Sequence, residues 1–365
     1  MGKIVPSTPL ASIVSVQDIQ AFYLDNPIPP SSVEALFPLE QSDSKTWKTI
    51  SNESLLQNEA ADPISLNAKV PVSGRAGFKE IIGEMASFGK GREMTADDLE
   101  KFAELKRKFS QLGNAAVAQQ LVDFYGNDLR FVRQAMNAEM SYLGHALLSN
   151  ACNIDFVASN SPYMQGITAM DYGLAAWQKN NTAASWATAS TEILTDIASA
   201  IATAKSYGKI LRKIKINKTW FNYVRNNTQI QKYCATLVQN LYNTQSAPTL
   251  VAINTMMAGY FDADIQFEVI DEQITRATRA DEKTVLNPFA DAVAVFTTET
   301  KVGHFAWNPI YIDDVTRETY ESFFLVGNYK QVDPSYSKIY AKGRGFPVVD
   351  TYADNFYLKI NAVAW

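Results

Sequence analysis

The sequence predicts an α+β fold. Two long helical patterns lie in the first half of the chain, and most of the last third alternates apolar and polar residues with the period of two that strands require. Helices and strands are therefore grouped along the chain and do not alternate one by one. This order favours an α+β architecture over a doubly wound parallel sheet.

The composition limits the class of protein. The chain has 365 residues, of which 47% are hydrophobic, enough for two or three domains of ~100–200 residues each. A net charge of -5 and a pI near 5.3 argue against a dedicated nucleic-acid binder. No apolar run approaches the ~20 residues of a membrane helix, and the start resembles neither a signal peptide nor a myristoylation site. We therefore expect an intracellular protein.

The first 94 residues lack a helical pattern. Residues 1 to about 60 contain "NPIPPSS" and "LFPLE" and show no sustained period, which predicts either a flexible tail or an arm that lies over another structure. Residues 63–94 hold five glycines and the strand-like pieces "LNAKVPV" and "KEIIGEM". This segment predicts a long, glycine-hinged β-hairpin or loop.

Two helices follow. The first begins at Thr95, which forms a capping-box pattern with Asp98, and Gly113 is a suitable end. The second covers about residues 115–150, with a possible interruption at Gly126. At ~1.5 Å per residue it would be on the order of 50 Å long, longer than an ordinary domain needs, so it is predicted to be a spine.

The rest of the chain predicts one helix, one strand, one more helix and then mostly strands. "STEILTDIASAIATAKSYG" is a helix, "KILRKIKIN" is a strand through Ile210, Ile214 and Ile216, and about residues 218–243 form another helix. In the tail, Phe356, Leu358 and Ile360 are expected to face a core. The other predicted strands are "ADIQFEVID", "DAVAVFTT", "KVGHFAWNPIYID" and "YESFFLVG".

No pattern predicts catalysis, a cofactor or a metal site. His145 and His304 lack a cysteine, serine or acid at a recognisable spacing, so both are interpreted as structural. "GKGREM" lacks the features of a phosphate-binding loop, and the pair Asp313 and Asp314 is best explained as a solvated turn. The cysteines, Cys152 and Cys234, are too few for a disulfide framework and are expected to be reduced and buried.

Charge is distributed unevenly in the second half. The two interpretations are solvated faces, or complementary edges of neighbouring copies. The basic stretch comprises Lys205, Lys209, Arg212, Lys213, Lys215 and Lys218, and the acidic one Asp262, Asp264, Glu268, Asp271, Glu272, Asp281 and Glu282.

Five segments, in order along nearly the whole chain, carry a resemblance. They are "VEALFPLEQSDSKTWK", "KVPVSGRAGFKEIIGEMASFGKGREM", "ITAMDYG", "TVLNPFADAVAVFTTETKVGHFAWNPIYID" and "GFPVVDTYADNFYLKINAVAW". Their succession resembles the lambda-like major capsid protein E family of tailed bacteriophages, which has the Hong Kong 97-type fold. The helical segment "TADDLEKFAELKRKFSQLG" departs from this pattern. The covalent lysine–asparagine cross-link of one branch cannot be assigned to Lys79 or Lys90.

The resemblance implies a division of the chain and a set of partners. It implies an N-terminal arm (1–62), an extended loop with a helical insert (63–112), a spine helix with a peripheral domain (113–187), an axial domain (188–310) and return strands (311–365). Hexamers and pentamers would build an icosahedral head in the bacterial host cytoplasm, enclosing double-stranded DNA without sequence-specific binding. A scaffolding protein, a portal and optionally a decoration protein would be partners, and no membrane would be involved.

The resemblance also implies which residues meet neighbouring subunits. Gly74, Gly89 and Gly91 are expected to act as hinges that let the loop change its angle. The residues expected at intersubunit contacts are Arg75, Phe78, Lys79, Ile81, Ile82, Phe88, Lys90, Arg92 and Trp365.

Two alternative functions remain: an enzyme of an unrecognised α+β family that uses Asp313, Asp314 and His304, or another phage head–tail protein.

Overall fold

A computed structural model describes eight parts of the chain. These are residues 32–52, 78–112, 115–155, 169–237, 247–279, 282–310, 317–331 and 336–365. The helices are α1 (Ala96–Leu112), α2 (Ala115–Ser149), α3 (Ile193–Ser206), α4 (Lys218–Asn226), α5 (Thr228–Leu237) and α6 (Leu250–Phe261), with short 3-10 helices at Ser32–Ala35 and Ala176–Gln178.

The strands fall mainly in the last third of the chain, as the alternation predicted. They are β1 (Leu39–Gln41), β2 (Thr46–Asn52), β3 (Phe78–Glu84), β4 (Ala86–Met94), β5 (Asn153–Asp155), β6 (Ala169–Asp171), β7 (Lys179–Asn181), β8 (Lys213–Asn217), β9 (Gln266–Ile270), β10 (Ile274–Arg279), β11 (Glu282–Leu286), β12 (Val293–Thr297), β13 (Gly303–Trp307), β14 (Arg317–Glu321), β15 (Phe324–Gln331), β16 (Tyr336–Val349) and β17 (Phe356–Lys359).

The first core lies between α2 and a six-stranded sheet. β16 is the central strand of this sheet: β15 and β4 pair along opposite edges of its first part, β13 pairs with its last residues, β14 pairs with β15, and β1 joins β13. One face of α2, including Val132, Met136, Met140 and Leu147, is buried against this sheet. The prediction of a long spine helix from about residue 115 is confirmed, but the interruption considered at Gly126 does not occur, since the helix continues through that residue.

The 3-10 helix near the N-terminus also packs in the first core. Val33 and Phe37 are fully buried there. A Cβ atom on Gly144 of α2 would lie 2.4 Å from a methyl carbon of Val33, so the glycine allows this close approach. The segment without a period thus includes residues that complete a core built by other elements.

The second core is formed by α3–α6 and a five-stranded sheet in the order β7-β17-β12-β8-β9. The stripe predicted for the third helix is confirmed at Ile193 and Ile197, which are fully buried. This core does not coincide with the predicted axial division at 188–310 at either end. β7 and β17 lie outside that range but belong to the five-stranded sheet, whereas β13 lies inside it but belongs to the six-stranded sheet.

Two antiparallel strands form a wall between the cores. In β17, Phe356 and Leu358 face the second core, whereas Tyr357 faces the first. β12 alternates in the same way, with Val293 and Val295 in the first core and Ala294 and Phe296 in the second. The half-buried alternation expected for the tail is therefore wrong at Tyr357, because a strand between two cores is apolar on both faces.

Four local predictions differ from the structure. The helix expected over 218–243 is divided into α4 and α5 at Asn227, whose side chain accepts from the amides of Gln229 and Ile230 as a new N-cap. Ile210 lies outside β8 and is 58% exposed. "YESFFLVG" spans the turn between β14 and β15 and not a single strand.

The fourth difference concerns the hairpin expected over 63–94. β3 pairs with β2, and β4 pairs with β16, so the two strands that follow one another do not pair together. The first strand of the extended hairpin is therefore β2, earlier than predicted. "LNAKVPV" lies outside the described residues.

Candidate functional site

The antiparallel pair β2–β3, which we call the ribbon, is held to the body by its inner face. The indole of Trp47 is stacked between Tyr172 and Phe346, with ring centroids 5.6 and 5.3 Å away. Trp47 is 2% exposed and faces Gly83 across the ribbon. The part of the ribbon around Trp47 and Gly83 is therefore well packed against the body.

Polar contacts add to this attachment. The ammonium group of Lys79 donates to the carbonyl oxygens of Tyr172 and Gly173 at 3.0 and 2.9 Å. The hydroxyl of Thr49 donates to Asp350 at 3.0 Å, and the other carboxylate oxygen of Asp350 lies 2.7 Å from Nδ1 of His304. This hydrogen bond raises the pKa of His304, so its imidazolium form is favoured beside the carboxylate.

The outer face of the ribbon carries two exposed isoleucines. Ile50 is 54% exposed and Ile82 is 62% exposed. Lys48 and Glu80 lie beside them with a 4.0 Å charge separation. One packed face and one apolar, solvent-exposed face suit a strand pair that contacts a second molecule.

The residues expected at intersubunit contacts fall into three groups, and their contact role stays a prediction. Lys79, Ile81, Phe88 and Arg92 contact their own chain, Arg92 through Asp128 at 3.1 Å. Ile82 and Lys90 are exposed, and Trp365 and the Arg92 side chain are exposed as well, at 40% and 52%, although both also contact their own chain. Arg75, the hinge residue Gly74 and the side chain of Phe78 lie outside the described residues.

The other two predicted hinges, Gly89 and Gly91, lie within the ladder between β4 and β16. A Cβ atom on Gly89 would lie 2.9 Å from the carbonyl oxygen of Ala341, and one on Gly91 would lie 2.8 Å from the side chain of Lys338. Close packing thus accounts for both glycines. Their role as hinges stays a prediction.

Trp365 lies over the edge of the five-stranded sheet. Its indole N–H donates to the carbonyl oxygen of Asn180 in β7 at 2.7 Å, and the ammonium group of Lys359 lies 4.9 Å from its ring centroid. The ring also meets Tyr357 edge-on. Trp365 is 40% exposed, so one face remains accessible.

Both interpretations of the charged stretches are wrong for their central residues, because the two stretches pair within the chain. β8 and β9 are parallel neighbours, and this register places Lys215 opposite Glu268 at 2.5 Å. Lys218 pairs with Asp271 at 2.8 Å. Burial alone would raise the pKa of Glu268, but the charge of Lys215 and hydrogen bonds from Lys215 and Thr300 lower it.

The remaining candidates for chemistry have structural surroundings. His145 is buried on α2, with Nε2 3.4 Å from Glu272. Cys152 and Cys234 are free and buried, as expected, and burial raises the pKa of the Cys152 thiol to about 12. Asp313 and Asp314, the other two residues named for an enzyme site, lie outside the described residues.

Two further features bear on function. Within the described ranges, no three histidine, cysteine, aspartate or glutamate side chains are grouped as metal ligands. No helix in these ranges has the length and hydropathy needed to span a membrane.

Sequence reasoning missed Ile50 and the whole of β16. Lys338, Tyr340, Lys342 and Arg344 alternate with the buried Ile339 and Ala341, so the period-two signal for β16 is present in the sequence. Gly343, Gly345 and Pro347 in the same segment obscure it.

Comparison with solved structures identifies the fold. The chain aligns with a phage-related protein from Bordetella bronchiseptica RB50 at a TM-score of 0.52 and 10% identity, covering 96% of this chain and 98% of the other. It aligns with the protein assigned as the capsid protein of a prophage of E. coli CFT073 at a TM-score of 0.55 and 12% identity, covering 95% and 99%. No protein-family model and no curated protein matches the sequence. The chain has the Hong Kong 97-type fold of phage capsid proteins, the α+β architecture that its sequence resemblance implied.

Proposed function

We propose that this protein is the major capsid protein of a tailed bacteriophage, which assembles into the icosahedral head shell around double-stranded DNA. The observation that carries the proposal is the alignment with the assigned prophage capsid protein over nearly the full length of both chains. Agreement in fold over an entire chain is more informative than agreement over one domain, although fold alone does not determine function.

The ribbon supports the proposal. A shell subunit acts through its contacts with neighbours, and Ile50 and Ile82 provide an exposed apolar face on a strand pair anchored to the body by Trp47 and Lys79. Each contact is modest in area, but repetition over a closed, symmetric shell makes the total large.

In this proposal the subunits form hexamers and pentamers in the bacterial host cytoplasm and become part of the virion. The partners are a scaffolding protein, a portal and, in some heads, a decoration protein. The protein carries no catalytic role in the proposal, and it encloses DNA without reading its sequence. His304 then serves in the Asp350–Thr49 contact and not as a base.

The test is the assembly state of the full-length protein, expressed with its scaffolding partner and observed by size-exclusion chromatography and electron microscopy. We expect rings or closed shells. A homogeneous preparation that contains only monomers would overturn the proposal, and rods or tubes would favour another head–tail protein.

A double variant makes this test specific to the ribbon. Ile50→Thr with Ile82→Thr keeps β-branched side chains and removes the apolar face, so we expect the subunit to fold normally while the yield of shells drops at least tenfold. The matched control is Ile210→Thr, which changes an isoleucine of similar exposure, 58%, in the other half of the molecule. If the double variant assembled as well as the parent protein, the ribbon would not be part of the interface between subunits.

A further inference from the structure

The outer face of the ribbon carries two apolar and two charged side chains in a diagonal arrangement. The register places Lys48 directly opposite Ile82, and Ile50 directly opposite Glu80. The isoleucines are 54% and 62% exposed, and the side chains of Lys48 and Glu80 are 68% and 46% exposed. The isoleucines therefore occupy one diagonal of a four-residue surface, and the two opposite charges occupy the other. We call these four residues the diagonal patch.

The body of the protein fixes the direction in which the diagonal patch points. Trp47 and Thr49 alternate with the patch residues along β2 and are 2% and 3% exposed. On β3, the side chain of Ile81 packs against the first core. Because successive side chains of a strand point to opposite faces, the patch points away from the body. It is presented to a second molecule as a surface with a defined orientation.

The two charges of the patch are weakly paired within their own chain. Nζ of Lys48 lies 4.0 Å from Oε1 of Glu80, and both side chains are exposed to solvent. An exposed pair of this kind contributes little to stability, so both charges can pair with a second molecule at small cost. A complementary partner has to place an anion over Lys48, a cation over Glu80 and apolar groups over the isoleucines.

A second copy of the diagonal patch meets this requirement. When two copies face each other across a two-fold axis parallel to the Ile50–Ile82 diagonal, each isoleucine meets the same isoleucine of the other copy. The same rotation places Lys48 of each copy over Glu80 of the other. A two-fold axis along the strands, across them or along the charged diagonal would instead place each charge over an isoleucine or over a charge of its own sign.

The dimensions of a sheet give the crossing angle of the two ribbons. Paired strands lie ~4.8 Å apart and residues two positions apart on a strand lie ~6.7 Å apart, so the diagonal is inclined by about 36° to the strands and the ribbons cross at about 70°. Steeply crossed strands are an established way for two sheets to pack face to face. Four side chains cover less than the ~800 Å² per partner of a stable interface, so the contact requires the other contacts of an assembly.

We propose that the diagonal patches of two subunits pack face to face at a two-fold axis, so that the ribbon of one copy binds the same face of the ribbon of another. This inference rests on the proposed function, because a closed icosahedral shell contains two-fold axes. It assigns a specific occupant to the exposed face of the ribbon, namely the same face of a second copy.

The first experiment exchanges the two charges and measures the yield of shells formed with the scaffolding protein. Lys48→Glu and Glu80→Lys each place like charges across the axis, so we expect either variant alone to lower the yield roughly tenfold. An equal mixture of the two variants should recover the parent yield, because a chain of one kind then faces a chain of the other kind with opposite charges. A chain with both substitutions should recover it as well.

The mixture separates contacts between chains from contacts within a chain. Each chain in the mixture carries the same like charges on its own ribbon as in the single-variant preparation, so recovery has to come from a second copy. Thermal unfolding of the two single variants should match that of the parent protein, because both side chains are exposed.

The second experiment locates the axis in assembled shells. Ile50→Cys places a thiol where two copies meet, so a short bismaleimide should join subunits into covalent dimers. Cys152 and Cys234 are buried and should not react. The matched control is Ile210→Cys, at an isoleucine that is 58% exposed in the other half of the molecule, and it should give no dimers.

The outcomes distinguish this inference from the proposed function. Shells whose yield does not recover in the mixture would show that the ribbon binds a different surface of its neighbour, and they would overturn the inference. Shells that the single variants form as well as the parent protein, or shells without dimers at Ile50→Cys, would overturn it too. In each of these cases the proposed function stands, whereas a parent protein that stays monomeric with its scaffolding partner would overturn both.

Discussion

The two cores of this protein differ in how far the positive charge of their ion pairs is buried. In the second core, Lys215 is fully buried and pairs with Glu268, so a charge lies inside the packed sheet. Around the first core the comparable pair is Arg92 with Asp128, in which the Asp128 side chain is 11% exposed but the Arg92 side chain is 52% exposed. Breaking a pair on one side costs most when the charge left behind is buried, as Lys215 is, and less when it can be solvated, as Arg92 can. Electrostatic changes should therefore affect the second core more.

The cores differ also in how they are assembled along the chain. The first collects residues from Val33 to Tyr357, and the second comes mostly from one continuous stretch plus β17. Because β12 and β17 belong to both, the cores should unfold together despite these differences.

The role of β12 and β17, the strands that lie between the two cores, is tested by Phe356→Ala. Phe356 is fully buried in the second core, so we expect a loss of about 3 to 5 kcal/mol in the free energy of unfolding. Hydrogen exchange should accelerate in both sheets, because β17 is shared. The control, Phe88→Ala, removes a partly buried ring of the first core and should act mainly on β4. Acceleration confined to the five-stranded sheet would show that the cores are independent.

The buried pair is tested by Glu268→Gln. The variant leaves the Lys215 ammonium group buried without its carboxylate, and we expect a loss of about 3 kcal/mol by urea unfolding. Combining it with Lys215→Met should recover most of that loss. Asp128→Asn at the exposed pair should cost less than about 1 kcal/mol. If the two single variants were equally destabilised, the contrast between the cores would be lost.

Lowering the pH should weaken the same pair, Lys215 with Glu268. The pKa of Glu268 is lowered in the folded protein from a usual value of 4.5, so its contribution to stability is present above that value. The contribution is lost as the pH falls through the lowered folded-state pKa. Unfolding curves from pH 6 to 3 should therefore fall more steeply for the parent protein than for Glu268→Gln. Parallel curves would contradict this prediction.

The smallest expected change in stability comes from His304, which lies in β13 of the six-stranded sheet. Its pKa is raised above 6.5 by the hydrogen bond with Asp350, with Glu40 also favouring the charged form and burial and Lys301 opposing it. The stability that it contributes is complete below 6.5 and is lost as the pH rises through the raised pKa. Because the Asp350 side chain is 42% exposed, we expect well under about 1 kcal/mol. Thermal unfolding of His304→Asn from pH 6 to 9 measures it, and a parent protein that gains stability over this range would contradict the sign.

The helices that were predicted correctly are those whose signals, a capping pair or a helical period, lie within the helix itself. The capping pair Thr95 and Asp98, the long period of α2 and the Ile193 stripe lie within single helices, and each has its predicted place. The candidate site was less predictable. Ile82 is exposed on the ribbon, as the predicted contact role would require, whereas Lys79 donates to the carbonyl oxygens of Tyr172 and Gly173, which are distant in sequence and which no local pattern specifies.

The sequence alone indicated the fold class, the first three helices, the burial of both cysteines and the apolar tail, since periodicity and composition are properties of short segments. It did not indicate α6 or the division between α4 and α5. Only the tertiary structure decided that β8 and β9 are neighbours, which pairs the basic stretch with the acidic one, and that β17 lies between two cores. The pairing partner of a strand is set by residues far away along the chain, and no local pattern encodes which face of a strand will meet which core.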